Sequence, residues 1–322
     1  MLKKIRGPVE QEMQRFNELL VEYYKNDNPF ISTIIDYVLE QRGKQMRPLL
    51  VMLSAALNGG IRDKSYIGAI LVEMTHAASL IHDDIIDEAY VRRGQLSPNA
   101  IWRSRTAVLA GDYILARALS ITTQNDASDL LGILIGSFEK LCEGELIQLE
   151  HASKLDMTEA SYFDVIYRKT ASLLGSAGAI GARSVDAPEE AVGRMKRFGE
   201  CIGMAFQIKD DLLDYQPASE TGKAAGNDLK ERKITLPLLY LLNHSAPAGR
   251  KTLINRISTV RENEGNAAYI QKQVIESGAI AYTEQVMQDY ERQALGILHE
   301  YPESPIRDSL ELYCHFILSR SK

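Results

Sequence analysis

The chain has 322 residues, 45% of them hydrophobic and 25% charged, enough to bury a large core as one big domain or two smaller ones. Its net charge of −6 argues against nucleic acid as a general partner, and its three cysteines, Cys142, Cys201 and Cys314, form no CxxC pair, which excludes a zinc ribbon and suits a reducing compartment. No stretch approaches 18 uninterrupted apolar residues and no apolar segment follows Lys3, Lys4 and Arg6, so we expect no integral membrane segment and a cytoplasmic location.

Helix signals dominate the chain from the start. Pro48 opens an apolar run over residues 49–57, where proline suits a first helical turn, and Asn58-Gly59-Gly60 stops it. The next apolar stretch, from residue 77, is expected to run helically through Asp87 to a break at 92–99. No proline falls between Pro98 and Pro188, and Leu109, Ile114, Leu115 and Leu119 follow three- and four-residue spacing, so this region reads as helices broken at 124–127 and 184–189. Further breaks are expected at 216–227, 244–249 and 302–305, with Pro237 opening another helix. Strand signals hardly appear and no linker interrupts the chain. The sequence predicts an all-α protein, a single large helical domain over residues 1–322 with about ten or more helices around a central cavity.

Two copies of one pattern interrupt apolar helical stretches: Asp83-Asp84-Ile85-Ile86-Asp87 and Asp210-Asp211-Leu212-Leu213-Asp214. Residues four apart on a helix lie about 40° apart around the axis and roughly 6 Å apart along it, so each motif forms a pair of carboxylates along one edge. One such motif alone reads as a solvated acidic face. Two, each set in apolar sequence, need neutralisation, because burying an unpartnered carboxylate costs several kcal/mol, to order of magnitude. Hard divalent cations do this, and Mg²⁺ uses one or two carboxylates with waters and substrate phosphate. The expected ligand is therefore a phosphate ester.

Basic residues stand beside both motifs. Lys44 and Arg47 lie at a helix start, which itself favours anions. Arg92 and Arg93 follow Asp87 at the expected end of its helix; Lys169-Thr170 begins a small-residue stretch; Lys223 and Lys233 follow the second motif. Taken singly, each reads as a surface cation, and their interleaving with both acidic motifs points instead to a diphosphate site.

With these residues in view, the chain resembles the trans-prenyl diphosphate synthases of the polyprenyl synthetase family over nearly its full length. The matching segments are Gly43-Lys44-x-x-Arg47-Pro48, Glu73-x-x-His76 with Leu80-x-His82 and the first aspartate motif, Arg92-Arg93-Gly94, Gly111-Asp112-Tyr113, Gly144-Glu145-x-x-Gln148-Leu149, Lys169-Thr170, Phe206-Gln207 with the second motif, Gly222-Lys223-x-x-Gly226-x-Asp228, and Lys233-x-Thr235-Leu236-Pro237. The resemblance implies an isoprenoid synthase fold, paired as a homodimer, that acts on isopentenyl diphosphate and an allylic prenyl diphosphate. On that resemblance Lys44, Arg47, His76 and Arg93 would hold the diphosphate of isopentenyl diphosphate, while Arg92, Lys169, Thr170, Gln207, Lys223 and Lys233 would contact the allylic diphosphate. Asp83 and Asp87 would bind two Mg²⁺ ions and Asp210 a third, with Asp84, Asp211 and Asp214 orienting waters or basic side chains. The catalytic set so implied is Asp83, Asp84, Asp87, Arg92, Lys169, Asp210 and Lys233.

Product length should follow the depth of an apolar tunnel along the helix before Asp83. The residues there are Ser79 and Ala78, both small, then Thr75 and Met74, without the aromatic plug that short-chain members of the family the chain resembles commonly place there. This favours a medium- or long-chain product, at or above six isoprene units, and makes Ala78→Phe a length-shortening change. A short-chain synthase and a catalytic subunit that needs a smaller partner remain open alternatives. A terpene cyclase would not need Lys44, Arg47 and Arg93 together with Lys169-Thr170, and a non-catalytic subunit would not need both aspartate motifs intact. His82 reads as a residue that orients a carboxylate or packs in the core, and Arg320 as either a basic tail or a solvated one.

Overall fold

Proline marks several helix starts in the computed structural model, which describes residues 1–215, 226–260 and 262–319: Pro29, Pro98, Pro247 and Pro305 each occupy the first position of a helix. Among the described residues the order is α1 (Leu2–Arg6), α2 (Glu10–Tyr24), α3 (Pro29–Glu40), α4 (Met46–Leu57), α5 (Asp63–Ile86), β1 (Val91–Arg92), β2 (Gln95–Leu96), α6 (Pro98–Gln124), α7 (Ser128–Lys154), α8 (Glu159–Ile166) and α9 (Ser172–Arg183). Then come α10 (Glu189–Leu213), α11 (Asn227–Lys230), α12 (Leu236–His244), α13 (Pro247–Ser258), α14 (Glu264–Glu276), α15 (Ala279–His299) and α16 (Pro305–Leu318). Among the described residues the fold is all-α apart from one two-stranded hairpin, in line with the sequence patterning.

Apolar burial joins these helices in two clusters. The larger draws on Phe16, Leu49, Met52, Ile70, Leu71, Phe198 and Tyr313, all fully buried. The smaller surrounds Tyr162, Ile208, Leu236 and Leu239, and Met287 and Tyr290 of α15 pack against both. Helix α10 runs against α9 and α15, α5 against α6, and α4 against α9, so both aspartate motifs are carried by helices fixed along their length.

The first aspartate helix ends earlier than the sequence suggests. Instead of continuing toward Arg92, α5 stops at Ile86 in a Schellman arrangement: Ala89 N donates to Asp84 O (2.9 Å), Glu88 N to Ile85 O (3.3 Å), and Glu88 takes the left-handed conformation (φ 50°). Glutamate occupies the place usual for glycine, so no stop signal was visible. Arg92 and Arg93 therefore lie on a hairpin and not on a helix end: Arg92 pairs with Gln95 in β1–β2, and the two turn residues Arg93 and Gly94 both have positive φ (53° and 78°). A similar hidden stop closes α7 at Leu155, also left-handed (φ 54°).

Glycine brings the α9–α10 pair into close approach. A Cβ on Gly178 would stand 2.2 Å from Met195 O, and one on Gly199 would stand 2.2 Å from Leu174 O, with backbone as the obstacle in both cases. Gly178→Ala must push α9 and α10 apart, and it is expected to destabilise the protein by ~1–3 kcal/mol. Urea unfolding of the two proteins measures this, and an unchanged midpoint would mean the seam is looser than described.

Candidate active site

Helices α5 and α10 point their aspartate ends at one cavity of about 1250 Å³, above the usual 300–1,000 Å³ of small-ligand pockets. Asp83, Asp84, Asp210, Asp211 and Asp214 all border it. The last aspartate of each motif is a helix C-cap, Asp87 on α5 and Asp214 on α10. A carboxylate there faces the negative end of the helix dipole, a repulsion of roughly 0.3–1 kcal/mol each. The ends thus invite cations.

Within the first motif the three carboxyls have different surroundings. Asp83 is half-buried, and burial, reinforced by Glu145 and Asp87, raises its pKa to about 6 against the pull of Lys169 and Arg92. Asp84 is 1% exposed and accepts a hydrogen bond from Arg92 Nε at 2.7 Å; burial still holds its carboxyl above the ordinary range. Asp87 is exposed, with Lys233 Nζ 3.8 Å from its Oδ1.

The second motif is organised by a hydrogen-bonded chain. Thr170 Oγ1 donates to Gln207 Oε1 (2.8 Å), Gln207 Nε2 donates to Asp211 Oδ1 (2.9 Å), and the buried Tyr162 hydroxyl donates to Asp211 Oδ2 (2.6 Å). Burial pushes both Asp211 and Tyr162 upward in pKa, Asp210 and Asp214 adding to the shift of the former. Asp210 is exposed on the cavity side, and Asp214 Oδ2 accepts from Asp228 N (3.2 Å).

Cations face these carboxyls from three elements. A π-helical turn, Tyr167–Ala171, joins α8 to α9 and carries Lys169 and Thr170 into the cavity wall, with Lys169 paired to Glu145 of α7. Lys233 pairs with Glu231 as well as approaching Asp87. Arg92 comes from the hairpin. Lys223, like Arg320, lies outside the described residues.

A second cationic group borders the same cavity at the start of α4. Arg47 Nη1 lies 2.8 Å from His76 Nε2, and since a guanidinium only donates, that imidazole nitrogen accepts. Burial, with Arg47, Arg93 and Arg92 nearby, keeps the His76 pKa well below its usual value, so the ring is neutral. Arg93 Nη1 donates to Gln41 O (2.8 Å), and its guanidinium occupies the space a Cβ on Gly43 would need, 2.5 Å away. Lys44 Nζ lies 5.2 Å from the Phe316 ring centroid.

Several residues to which the sequence reading gave no role belong to this assembly. Glu73 borders the cavity and faces Arg47, Arg93 and Arg42, although burial raises its pKa; Glu145 stands beside Asp83, and Asp228 stands beside the second motif with its own pKa pushed up by burial and by Asp211 and Asp214. All three stand inside the segments that carry the resemblance. His82 packs on α6, its Nε2 3.4 Å from Asp112 Oδ1, and a Cβ on Gly111 would collide with it at 2.3 Å.

The tunnel expected below Asp83 is only partly open. Of the four positions named for chain length, Ser79 alone borders the cavity, its hydroxyl bonded to His76 O (2.9 Å). Met74, Thr75 and Ala78 are fully buried in the core away from it, and Thr75 Oγ1 has no hydrogen-bond partner.

Among the described residues no three His, Cys, Asp or Glu side chains gather closely enough to hold a metal ion by themselves. Mg²⁺ asks for less, one or two carboxylates completed by water and substrate phosphate. The unequal carboxyls at the two helix ends, one of them pushed to a pKa of about 6 by burial and like charge, fit such an ion.

The polyprenyl synthetase family model matches residues 28–274. The chain is 32% identical over 327 residues to octaprenyl diphosphate synthase of Escherichia coli (strain K12), covering 100% of this chain and 99% of that one. It superimposes on the polyprenyl synthase of Caulobacter crescentus CB15, complexed with calcium and isoprenyl diphosphate, with TM-score 0.92 and 31% identity over 100% and 98% of the two chains. For decaprenyl diphosphate synthase of Rhodobacter capsulatus the values are 0.93 and 30%, with both chains covered in full. The chain belongs to the polyprenyl synthetase family and is a prenyl diphosphate synthase, a transferase with the isoprenoid synthase fold.

Proposed function

We propose that the protein condenses an allylic prenyl diphosphate with isopentenyl diphosphate, head to tail and repeatedly, to give a medium- or long-chain all-trans polyprenyl diphosphate, C30 or longer, of the sort used for quinone side chains. The observation that carries this reading is the meeting of Asp83 and Asp84, of Asp210, Asp211 and Asp214, and of Arg92, Lys169 and the group of Lys44, Arg47, His76 and Arg93 around one cavity, with Lys233 and Asp87 approaching each other outside its lining. One domain over residues 1–322 and a cytosolic site of action are part of the same reading; among the described residues no helix is long and apolar enough to cross a membrane.

Three Mg²⁺ ions, two held by Asp83 and Asp87 and one by Asp210, would neutralise the leaving diphosphate when bound. Arg92, Lys169 and Lys233 stabilise the same developing charge, more in the transition state than in the ground state. These three side chains sit on Asp84, on Glu145, and on Asp87 with Glu231, so each is partly buried and held by a partner before substrate arrives. The allylic C–O bond breaks with its electron pair leaving on pyrophosphate. The isopentenyl double bond then attacks the carbocation, forming the new C–C bond, and C2 loses a proton to the departing pyrophosphate. Lys44, Arg47 and Arg93, with neutral His76, hold the isopentenyl diphosphate in place for that attack. Leu80, Ile81, Leu173 and Phe206 on the cavity wall keep water from the cation.

A second copy of the chain fits the apolar face that α6 and α7 leave exposed, where Leu109 is 62% and Leu146 68% accessible, with Val108, Ile135 and Leu149 beside them. Light scattering behind size exclusion should give the mass of a homodimer, and Leu109→Glu with Leu146→Glu should give a monomer; a monomeric parent chain would remove this part of the reading.

Because burial opposes ionisation of Asp83, its charge destabilises the metal-free fold above a pH of about 6, and that penalty fades as pH falls through 6 toward the unfolded value. Asp83→Asn is therefore expected to raise the Tm of the metal-free protein at pH 7.5 while lowering kcat by about 10³-fold or more, the scale of a lost transition-state contact. A lower Tm, or activity within a few-fold of the parent, would contradict the role given to this residue.

Since Ser79 and not Ala78 borders the cavity, Ser79→Phe is the change expected to shorten the product without abolishing turnover. Chromatography of labelled products from the purified chain, farnesyl diphosphate and isopentenyl diphosphate tests length and self-sufficiency together. A parent product of fifteen or twenty carbons would favour a short-chain enzyme, and no product from the chain alone would favour a subunit that needs a partner.

A further inference from the structure

The short segment that carries Lys44 is held by parts of the chain remote from it. Arg6 Nη2 of α1 donates to Lys44 O (2.8 Å), Gln45 Nε2 to Asn17 Oδ1 of α2 (2.7 Å), and the Tyr313 hydroxyl of α16 to Met46 O (3.0 Å). Gln45 itself is left-handed (φ 53°), which turns the chain sharply into α4. These bonds fix the backbone at residues 44–46. The ammonium ends the side-chain stem and lies over the face of Phe316, which is half-buried on α16 and borders the cavity beside Tyr313 and Ile317. The quadrupole of an aromatic face attracts a cation without neutralising it. A carboxylate in the same place would hold Lys44 more firmly but would repel an incoming diphosphate.

We propose that Phe316 is a positioning residue for the second substrate: its ring face holds the Lys44 ammonium against the cavity wall, so that isopentenyl diphosphate meets a cation already aimed. The inference rests on the reading of Lys44 given above.

The test is the KM for isopentenyl diphosphate at saturating allylic primer, measured in the full-length enzyme with Mg²⁺ for Phe316→Leu, Phe316→Met, Phe316→Tyr and Phe316→Trp, each also combined with Lys44→Ala. Leu and Met should raise that KM about 2- to 5-fold, which at 1.4 kcal/mol per tenfold is the ~0.5–1 kcal/mol of a cation–π contact at a partly exposed site. They should leave kcat and the KM for the primer unchanged. Tyr and Trp should keep the parent value, and in the Lys44→Ala background the identity of residue 316 should cease to matter. A role in packing alone predicts the reverse order, with Trp the worst and the effect persisting without Lys44; that result would overturn the proposal. If Lys44→Ala raises the KM and the ringless variants do not, Phe316 alone is wrongly placed. If Lys44→Ala changes nothing, the reading of Lys44 fails and this inference with it.

Discussion

The rest of the structure answers to one electrostatic constraint, carboxylates gathered at the C-terminal ends of two helices that face a single cavity. Burial above all, with mutual repulsion, opposes ionisation there, as the raised pKa values of Asp83, Asp84 and Asp211 record, and the helix dipoles act in the same sense. The fold contains the strain by giving each inward carboxyl a neighbour: Arg92 for Asp84, Tyr162 and Gln207 for Asp211, the Asp228 amide for Asp214. Asp83, Asp87 and Asp210 are left facing water or the cavity at longer range. That division separates carboxyls that shape the site from those able to take a metal.

The same accounting explains why the basic residues can serve two states. Lys169 and Lys233 rest on carboxylates in the protein described, and Arg92 on Asp84. A polyphosphate entering with cations offers each of them a stronger partner without requiring a long movement. The cradle at the start of α4 works differently, since Arg47, Arg93 and Arg42 all face Glu73, and His76 stays neutral among them. Positive side chains gather at that end, which suits a substrate that brings two negative phosphates of its own.

Much of this was legible in the chain. The two aspartate motifs, the proline-marked helix starts and the order of basic segments carry local information, and local information is what a sequence displays. What stayed hidden had a specific cause each time. The stops of α5 and α7 use Glu88 and Leu155 in a conformation that ordinarily calls for glycine, so the helix carrying the first motif looked longer and Arg92 was assigned to it. Gln207 stands one turn before Asp211 on α10, but Tyr162 of α8 on Asp211 and Thr170 of the π-turn on Gln207 come from elsewhere in the chain, a convergence that no spacing encodes. Ala78 looked like a tunnel residue because it is small and lies one helical turn and a residue before Asp83, yet its face of α5 turns into the core and Ser79 meets the cavity. Phe316 is more than 270 residues from Lys44 and stands in an unremarkable amphipathic helix.

The central claim is that both helix ends act on one diphosphate through divalent cations. It is tested most directly by anomalous diffraction from crystals grown with Mn²⁺ and inorganic pyrophosphate. The account predicts metal peaks beside Asp83 and Asp87 on one side and Asp210 on the other, all touching a single pyrophosphate between α5 and α10. Peaks scattered over unrelated surface carboxylates, or pyrophosphate bound with one aspartate motif left metal-free, would contradict it.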